Sequence, residues 1–266
     1  MSVISNLLTA SGIGDLQAAM LAVFVPFLIP FFYFLYRAPR LGARQPLRPI
    51  PAYDALKKLL SRAAETGQAV HVSIGTAGVG GAQAADTMAG LLTLEFLADR
   101  AANSDIPPIV TLTDPTTVPA ALDQLRHAYE RQGYPEEFNF TQARFIAPTV
   151  NGSAVPYAAG VMNVLASESL TANVMVGSFG DELLLMTEPE AQRGVSQIGG
   201  ASDPTVLPFV YLTMSQPLLG EEIYATGAYL LERAAHYMSL LAQDVFRNVL
   251  VLFVIVIVVA RTLGLF

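Results

Sequence analysis

Apolar positions along this chain change period several times, and each change marks an element. Residues 16–36 form an uncharged apolar run. As a helix rising 1.5 Å per residue, the run is long enough to cross a hydrocarbon core of about 30 Å. Pro26 and Pro30 lie inside it and predict a kink, which membrane helices tolerate where neighbours compensate. Residues 53–65 carry Leu56, Leu59, Leu60 and Ala63 at helical spacing, and Gly67 is placed to end that helix. Residues 69–81, AVHVSIGTAGVGG, read as a buried strand running into a glycine-rich turn that opens a helix. The helix expected over 82–102 is apolar on most faces, as a helix buried against several neighbours is. Short apolar runs predict strands at 109–112 and 143–147, separated by a helix ending at Gly133. Asn151-Gly152 predicts a turn and residues 157–167 a helix. Further strands are expected at 173–176, 195–198 and 217–219, with a helical or irregular piece over 181–193 and a helix over 221–232. The last run, VLVLFVIVIVVARTLGLF over 249–266, follows a helical pattern with no turn signal, so it reads as a helix of about 27 Å rather than a buried strand.

Three motif pairs recur in the same order. Gly75-Thr76-Ala77-Gly78 is matched by Gly177-Ser178-Phe179-Gly180, Thr113-Asp114-Pro115 by Ser202-Asp203-Pro204, and Tyr157–Gly160 by Tyr224–Gly227. Their collinearity predicts an internal repeat whose second half has lost length. Alternating strands and helices, six of each, predict a parallel sheet covered on both faces. The fold class expected is therefore α/β, a Rossmann-like doubly wound, mostly parallel sheet with internal duplication. One N-terminal and one C-terminal transmembrane helix flank it. In residues, the expected organisation is a short extracytoplasmic segment 1–15, a transmembrane helix 16–36 and a basic juxtamembrane linker 37–50. A cytoplasmic domain 51–245, with halves of about 69–167 and 172–232, and a second transmembrane helix 248–266 complete it.

Charge orients this arrangement. Arg37, Arg40, Arg44 and Arg48 follow the first run and no Lys or Arg precedes it, so the positive-inside rule places the following domain in the cytoplasm. The location expected is a bacterial plasma membrane with both termini outside. Between residues 49 and 246 there are 21 acidic and 9 basic residues, a balance of −12. An acidic domain without a basic stripe excludes nucleic acid as a partner. The partners expected are the lipid bilayer and either further copies of the chain or other membrane-protein subunits. The chain has no cysteine, which excludes disulfides, thiolate metal sites and cysteine nucleophiles together. His71, His127 and His236 show no helical ligand spacing, so no metal is expected and no cofactor can be named.

Candidate chemistry gathers at the two glycine turns. Gly75, Thr76, Gly78, Gly80 and Gly81, and later Gly177, Ser178 and Gly180, stand where strand ends meet helix starts. Backbone N–H groups and the helix dipole favour an anion there. The spacing lacks the Gly-Lys-Ser/Thr of a P-loop and is not G-x-G-x-x-G. A tight strand-to-helix turn is therefore the preferred reading and an anion cradle the alternative. Asp114 and Asp203 lie just past strand ends, at the edge where open α/β sheets bind ligands. Each can instead close an Asx turn ahead of an N-cap threonine, Thr116 or Thr205, with Pro119 or Pro208 at the third helical position. As catalytic carboxylates they have no base, metal or nucleophile nearby in sequence. Gly160 lies inside a predicted helix and predicts close packing. His71 lies on a buried strand and reads as a hydrogen-bonded core histidine.

The ordered set GTAGVGG, TDPTTVP, YAAGVMNVL, ANVMVGSFG, ASDP, GEEIYATGAYL and SLLAQD resembles an uncharacterised bacterial membrane-protein family, classed as a domain of unknown function, over about residues 50–250. The resemblance implies boundaries and adds no chemistry. The function expected is that of a non-catalytic integral membrane protein, a scaffold or accessory subunit of a membrane assembly. A tethered sensory module holding a nucleotide or small anion at the glycine turns is the alternative. An enzyme using Asp114 and Asp203 in a symmetric cleft comes third.

Overall fold

The computed structural model describes residues 15–37, 47–104, 106, 108–146 and 153–263. In chain order the elements are α1 (Asp15–Arg37), α2 (Pro51–Thr66), β1 (Ala69–Gly75), α3 (Ala84–Ala101), β2 (Ile109–Leu112), α4 (Thr117–Gln132), β3 (Ala143–Phe145), α5 (Val155–Ser167), β4 (Leu170–Ser178), α6 (Glu182–Gln192), β5 (Ser196–Ala201), α7 (Leu207–Thr213), β6 (Gln216–Leu219), α8 (Thr226–Tyr229) and α9 (Ala234–Thr262). Single 3-10 turns occupy Pro135–Glu137 and Phe140–Gln142, and a longer one Gly220–Ala225. The expected N-terminal segment through residue 14, Arg40, Arg44 and the Asn151-Gly152 turn lie outside the described residues.

Arg48–Leu231 forms one unit. Its six strands make a single sheet, all parallel, in the order β3-β2-β1-β4-β5-β6. This is the Rossmann-like order, which reverses direction between β1 and β4. Helices cover both faces. α2, α3 and α4 pack on one side, with α3 over β1 and β4. α5, α6 and α7 pack on the other.

The two faces differ in chemistry because successive strand residues point to opposite sides. Ile74 meets α3, where Gly90 leaves room for its side chain, so Val70 and Val72 face the same way. The alternate residues His71 and Ser73 face α5, and Ser73 shares a 2.6 Å hydrogen bond with Tyr157 of that helix. The α5–α7 side adds a core of Val161, Leu165, Met175, Leu183, Met186 and Val210. As its position in a helix predicted, Gly160 of α5 is tight: a Cβ there would lie 2.3 Å from the Ile146 side chain.

Most elements fall where the apolar pattern put them, and the differences have physical causes. β4 is longer than expected and buried throughout. Residues 182–192 form a full helix despite Pro189. The helix expected over 221–232 is instead the 3-10 turn and the single-turn α8. There the Tyr53 hydroxyl donates to the Glu222 carbonyl at 2.6 Å, and the Thr226 hydroxyl donates to the Ile223 carbonyl at 2.9 Å. Those are acceptors that an α-helix would spend on its own N–H groups.

The second unit holds the two long helices. α1 runs through Pro26 and Pro30 without a break and packs alongside α9. α9 has 29 residues, so residues 234–245 belong to this helix. Its Val249–Val259 stretch is 39–62 % exposed at every position that bears a large apolar side chain. Among the described residues, α9 is the one helix long and apolar enough to cross a membrane.

Candidate functional site

All six strands deliver their carboxyl ends to one edge, and the first glycine turn lies there, at the switch point between β1 and β4. The two turns are pressed backbone to backbone. Gly75 has φ +89°, and a Cβ on it would lie 2.1 Å from the Ser178 carbonyl oxygen. A Cβ on Gly177 would lie 1.8 Å from the Ile74 carbonyl oxygen. Thr76 donates its N–H to that Ser178 oxygen at 2.8 Å. Glycine is therefore required at 75 and 177 by the approach of one strand to the other.

Beyond the seam each turn meets a carboxylate. The loop after β1 passes over Asp114, so that a Cβ on Gly78 would lie 2.6 Å from the Asp114 carboxyl group. Asp114 Oδ1 accepts the Thr116 N–H at 2.8 Å and also the Thr116 hydroxyl. Val79 N–H donates back to Thr116 Oγ1 at 3.3 Å, and Thr87 Oγ1 donates to the Ala77 carbonyl at 3.0 Å. At the second turn the Gly180 N–H donates to Glu182 Oε1 at 2.8 Å, and the nearest atoms to a Cβ on Gly180 belong to that same carboxylate. Gly80 and Gly81 differ from these: a Cβ on either would meet open space.

Asp203 repeats the Asp114 turn. Its Oδ1 accepts the Thr205 N–H and hydroxyl, both at 2.8 Å, and these bonds hold its carboxyl below the usual range. The caps then diverge. Thr116 is the N-cap of α4, whereas α7 begins one residue later than the repeat predicts, at Leu207 with Val206 as its N-cap and Pro208 in its first two positions. Thr116 spends its hydroxyl on Asp114 and makes no side-chain cap bond.

Sequence reasoning missed two carboxylates at this edge, Glu182 and a fourth, Asp86. Asp86, in the first turn of α3, is 4 % exposed. It accepts the Tyr224 hydroxyl on Oδ1 and the Ser202 hydroxyl on Oδ2, the latter at 2.8 Å. Burial, then the Asp86 bond, raises the Tyr224 hydroxyl pKa. Two of these partners stood inside repeated motifs; Asp86 itself was one acid in an apolar helix. Asp86, Asp114, Glu182 and Asp203 are not ion-paired among the described residues. Among the described residues, no three His, Asp or Glu gather as metal donors.

Below the edge a polar ladder crosses the sheet. Thr111 Oγ1 donates to His71 Nε2 at 2.9 Å, and His71 Nδ1–H donates to Asn173 Oδ1 at 2.6 Å. Asn173 Nδ2 donates to Gln197 Oε1 at 2.9 Å, and Gln197 Nε2 to the Thr187 carbonyl at 3.3 Å. Only this tautomer satisfies every member. Burial pushes the His71 pKa down to about 4, so the ring is neutral. His71 is a hydrogen-bonded core residue.

The chain belongs to the DUF6754 family. The family is described as a domain of unknown function, and its profile matches residues 10–266. No curated protein and no solved structure matches the chain. The DUF6754 match is wider than the resemblance seen in the motifs, because it takes in both α1 and α9 with the α/β unit. What recurs as DUF6754 is therefore the sheet together with its flanking helices.

Proposed function

We propose that this DUF6754 protein is a non-catalytic, membrane-tethered scaffold or accessory subunit. In this reading α1 and α9 hold the α/β unit on the cytoplasmic face of a bacterial plasma membrane, with both termini outside. The two halves of the sheet descend from one duplicated βαβαβ unit. Its partners are other membrane subunits or further copies of the chain, and not nucleic acid.

One observation carries the reading. At the second glycine turn the Gly180 N–H is taken by the chain's own Glu182 carboxylate, and at the first the Asp114 carboxylate lies against Gly78. A nucleotide or small anion would have to displace a charge of its own sign there. Asp114 and Asp203 spend their carboxylates on turn hydrogen bonds, which is a structural use. The exposed apolar surface of α9 supports the tether.

Native mass spectrometry of the full chain, extracted from its own membrane in mild detergent, tests this. The expected result is a discrete protein assembly, homo-oligomeric or with defined partner subunits, that carries no stoichiometric anionic molecule. A bound nucleotide-sized anion lost on activation, or a bare monomer, overturns the scaffold reading.

A further inference from the structure

A second opening lies at the other end of the strands, away from the glycine turns. A cavity of about 480 Å³ is walled by the starts of β1 and β2 and by the segment leading into β3. That volume is within the range of small-molecule sites, about 300–1,000 Å³. Gln142 forms part of the wall and is 8 % exposed. Its side-chain nitrogen donates to the Tyr129 hydroxyl at 3.0 Å. Its carbonyl oxygen, Oε1, is the one buried side-chain polar atom among the described residues that has no hydrogen-bond partner. Buried acceptors in folded proteins are almost always paired, so this one lacks a donor that the described residues do not supply.

The charges of the wall point to the same kind of donor. Glu137, Glu168 and Arg144 line the cavity, and Arg144 is committed to Glu168 by a 2.8 Å bond. Among these three, Glu137 is the carboxylate outside that ion pair, and it lies on the wall of the same cavity as Gln142. Pro108 and Ile109 supply apolar surface on the same cavity. We propose that this cavity binds a small primary alkylammonium compound. The ammonium group donates to Gln142 Oε1 and to Glu137, and the methylene stem lies against Pro108 and Ile109. To meet the ligand the buried amide turns about its terminal torsion, which is soft in glutamine, and its 3.0 Å bond to the Tyr129 hydroxyl is given up.

Isothermal titration of the full-length protein in detergent with putrescine and with n-butylamine, at matched ionic strength, tests the site. Saturable binding with one amine per chain is expected, together with a higher melting temperature. Gln142→Met is expected to abolish the binding while leaving the ligand-free melting temperature unchanged or raised, a pairing that a purely structural glutamine does not give. Glu137→Gln, which leaves the Gln142–Tyr129 bond alone, is expected to weaken binding about tenfold through loss of one charged hydrogen bond. Failure of both amines to bind at millimolar concentration overturns the proposal. So does binding that survives unchanged in both variants, because the acidic surface then binds the amines elsewhere.

Discussion

Protonating His71 would break the ladder that crosses the sheet, because Nε2 must accept from Thr111 while Nδ1 donates to Asn173. The folded pKa of about 4 lies below the ordinary 6.5 of the unfolded chain. Between those values the unfolded state binds the extra proton, so stability falls as pH drops through that window and levels off below about pH 4. The full loss amounts to about 3 kcal/mol at 1.36 kcal/mol per pH unit. Urea unfolding followed at several pH values is expected to show this slope in the wild type and to show it reduced in His71→Gln, which keeps a donor and an acceptor but does not titrate. Equal slopes in the two proteins would remove His71 as the cause. The residue's character was legible in the sequence, because alternation in Val70-His71-Val72-Ser73 placed it on a strand with apolar flanks. Its partner was not, since Asn173 lies 102 positions away. The same limit hid Asp86, whose partners Ser202 and Tyr224 stand 116 and 138 positions along the chain.

At the scale of elements, the seam between β1 and β4 decides which glycines the fold needs. Gly75→Ala and Gly177→Ala each drive a Cβ into the carbonyl of the facing strand, and neither backbone can retreat within a sheet covered on both sides. Each is expected to cost about 3 kcal/mol or more, the range for overpacking against rigid neighbours. Gly80→Ala and Gly81→Ala are expected to stay within about 0.5 kcal/mol, because a Cβ there meets open space. Denaturant midpoints of the four variants check the contrast, and a mild Gly75→Ala would mean that the seam is looser than described. Strands and most helices were legible because burial imposes apolar runs and helical spacing on local sequence. The Gly220–Ala225 turn was not, because its geometry is set by the Tyr53 hydroxyl, which arrives from 169 positions away. The sequence leaves an anion cradle beside the tight turn as a reading of the glycine motifs for a related reason. A turn that accepts an external anion and one that meets an internal carboxylate share the same local residues, and Glu182 is told apart only by the 2.8 Å bond it makes.

For the whole molecule the proposed topology, with the α/β unit on the cytoplasmic face of a bilayer, is the property to test. α9 is apolar around its whole circumference over Val249–Val259, so no stripe of it is reserved for a protein core alone. In lipid such a helix satisfies its own backbone and removes its side chains from water at once. The absence of cysteine makes the proposed topology directly readable, since any introduced thiol is the chain's sole one. Leu263→Cys, exposed at the end of α9, is expected to react in intact cells with a membrane-impermeant maleimide. Gln192→Cys, exposed at the end of α6, is expected to react only after the cells are opened. Adding Ile255→Arg to the first variant places a charge near the middle of the apolar stretch, at an insertion cost of about 2.5–3.5 kcal/mol. That cost is expected to keep α9 out of the bilayer and so to abolish labelling at position 263 from outside. Labelling of Gln192→Cys in intact cells would invert the proposed orientation. Labelling of Leu263→Cys that ignores the Ile255→Arg charge would mean that α9 does not cross the membrane, leaving its apolar surface to be covered by protein instead.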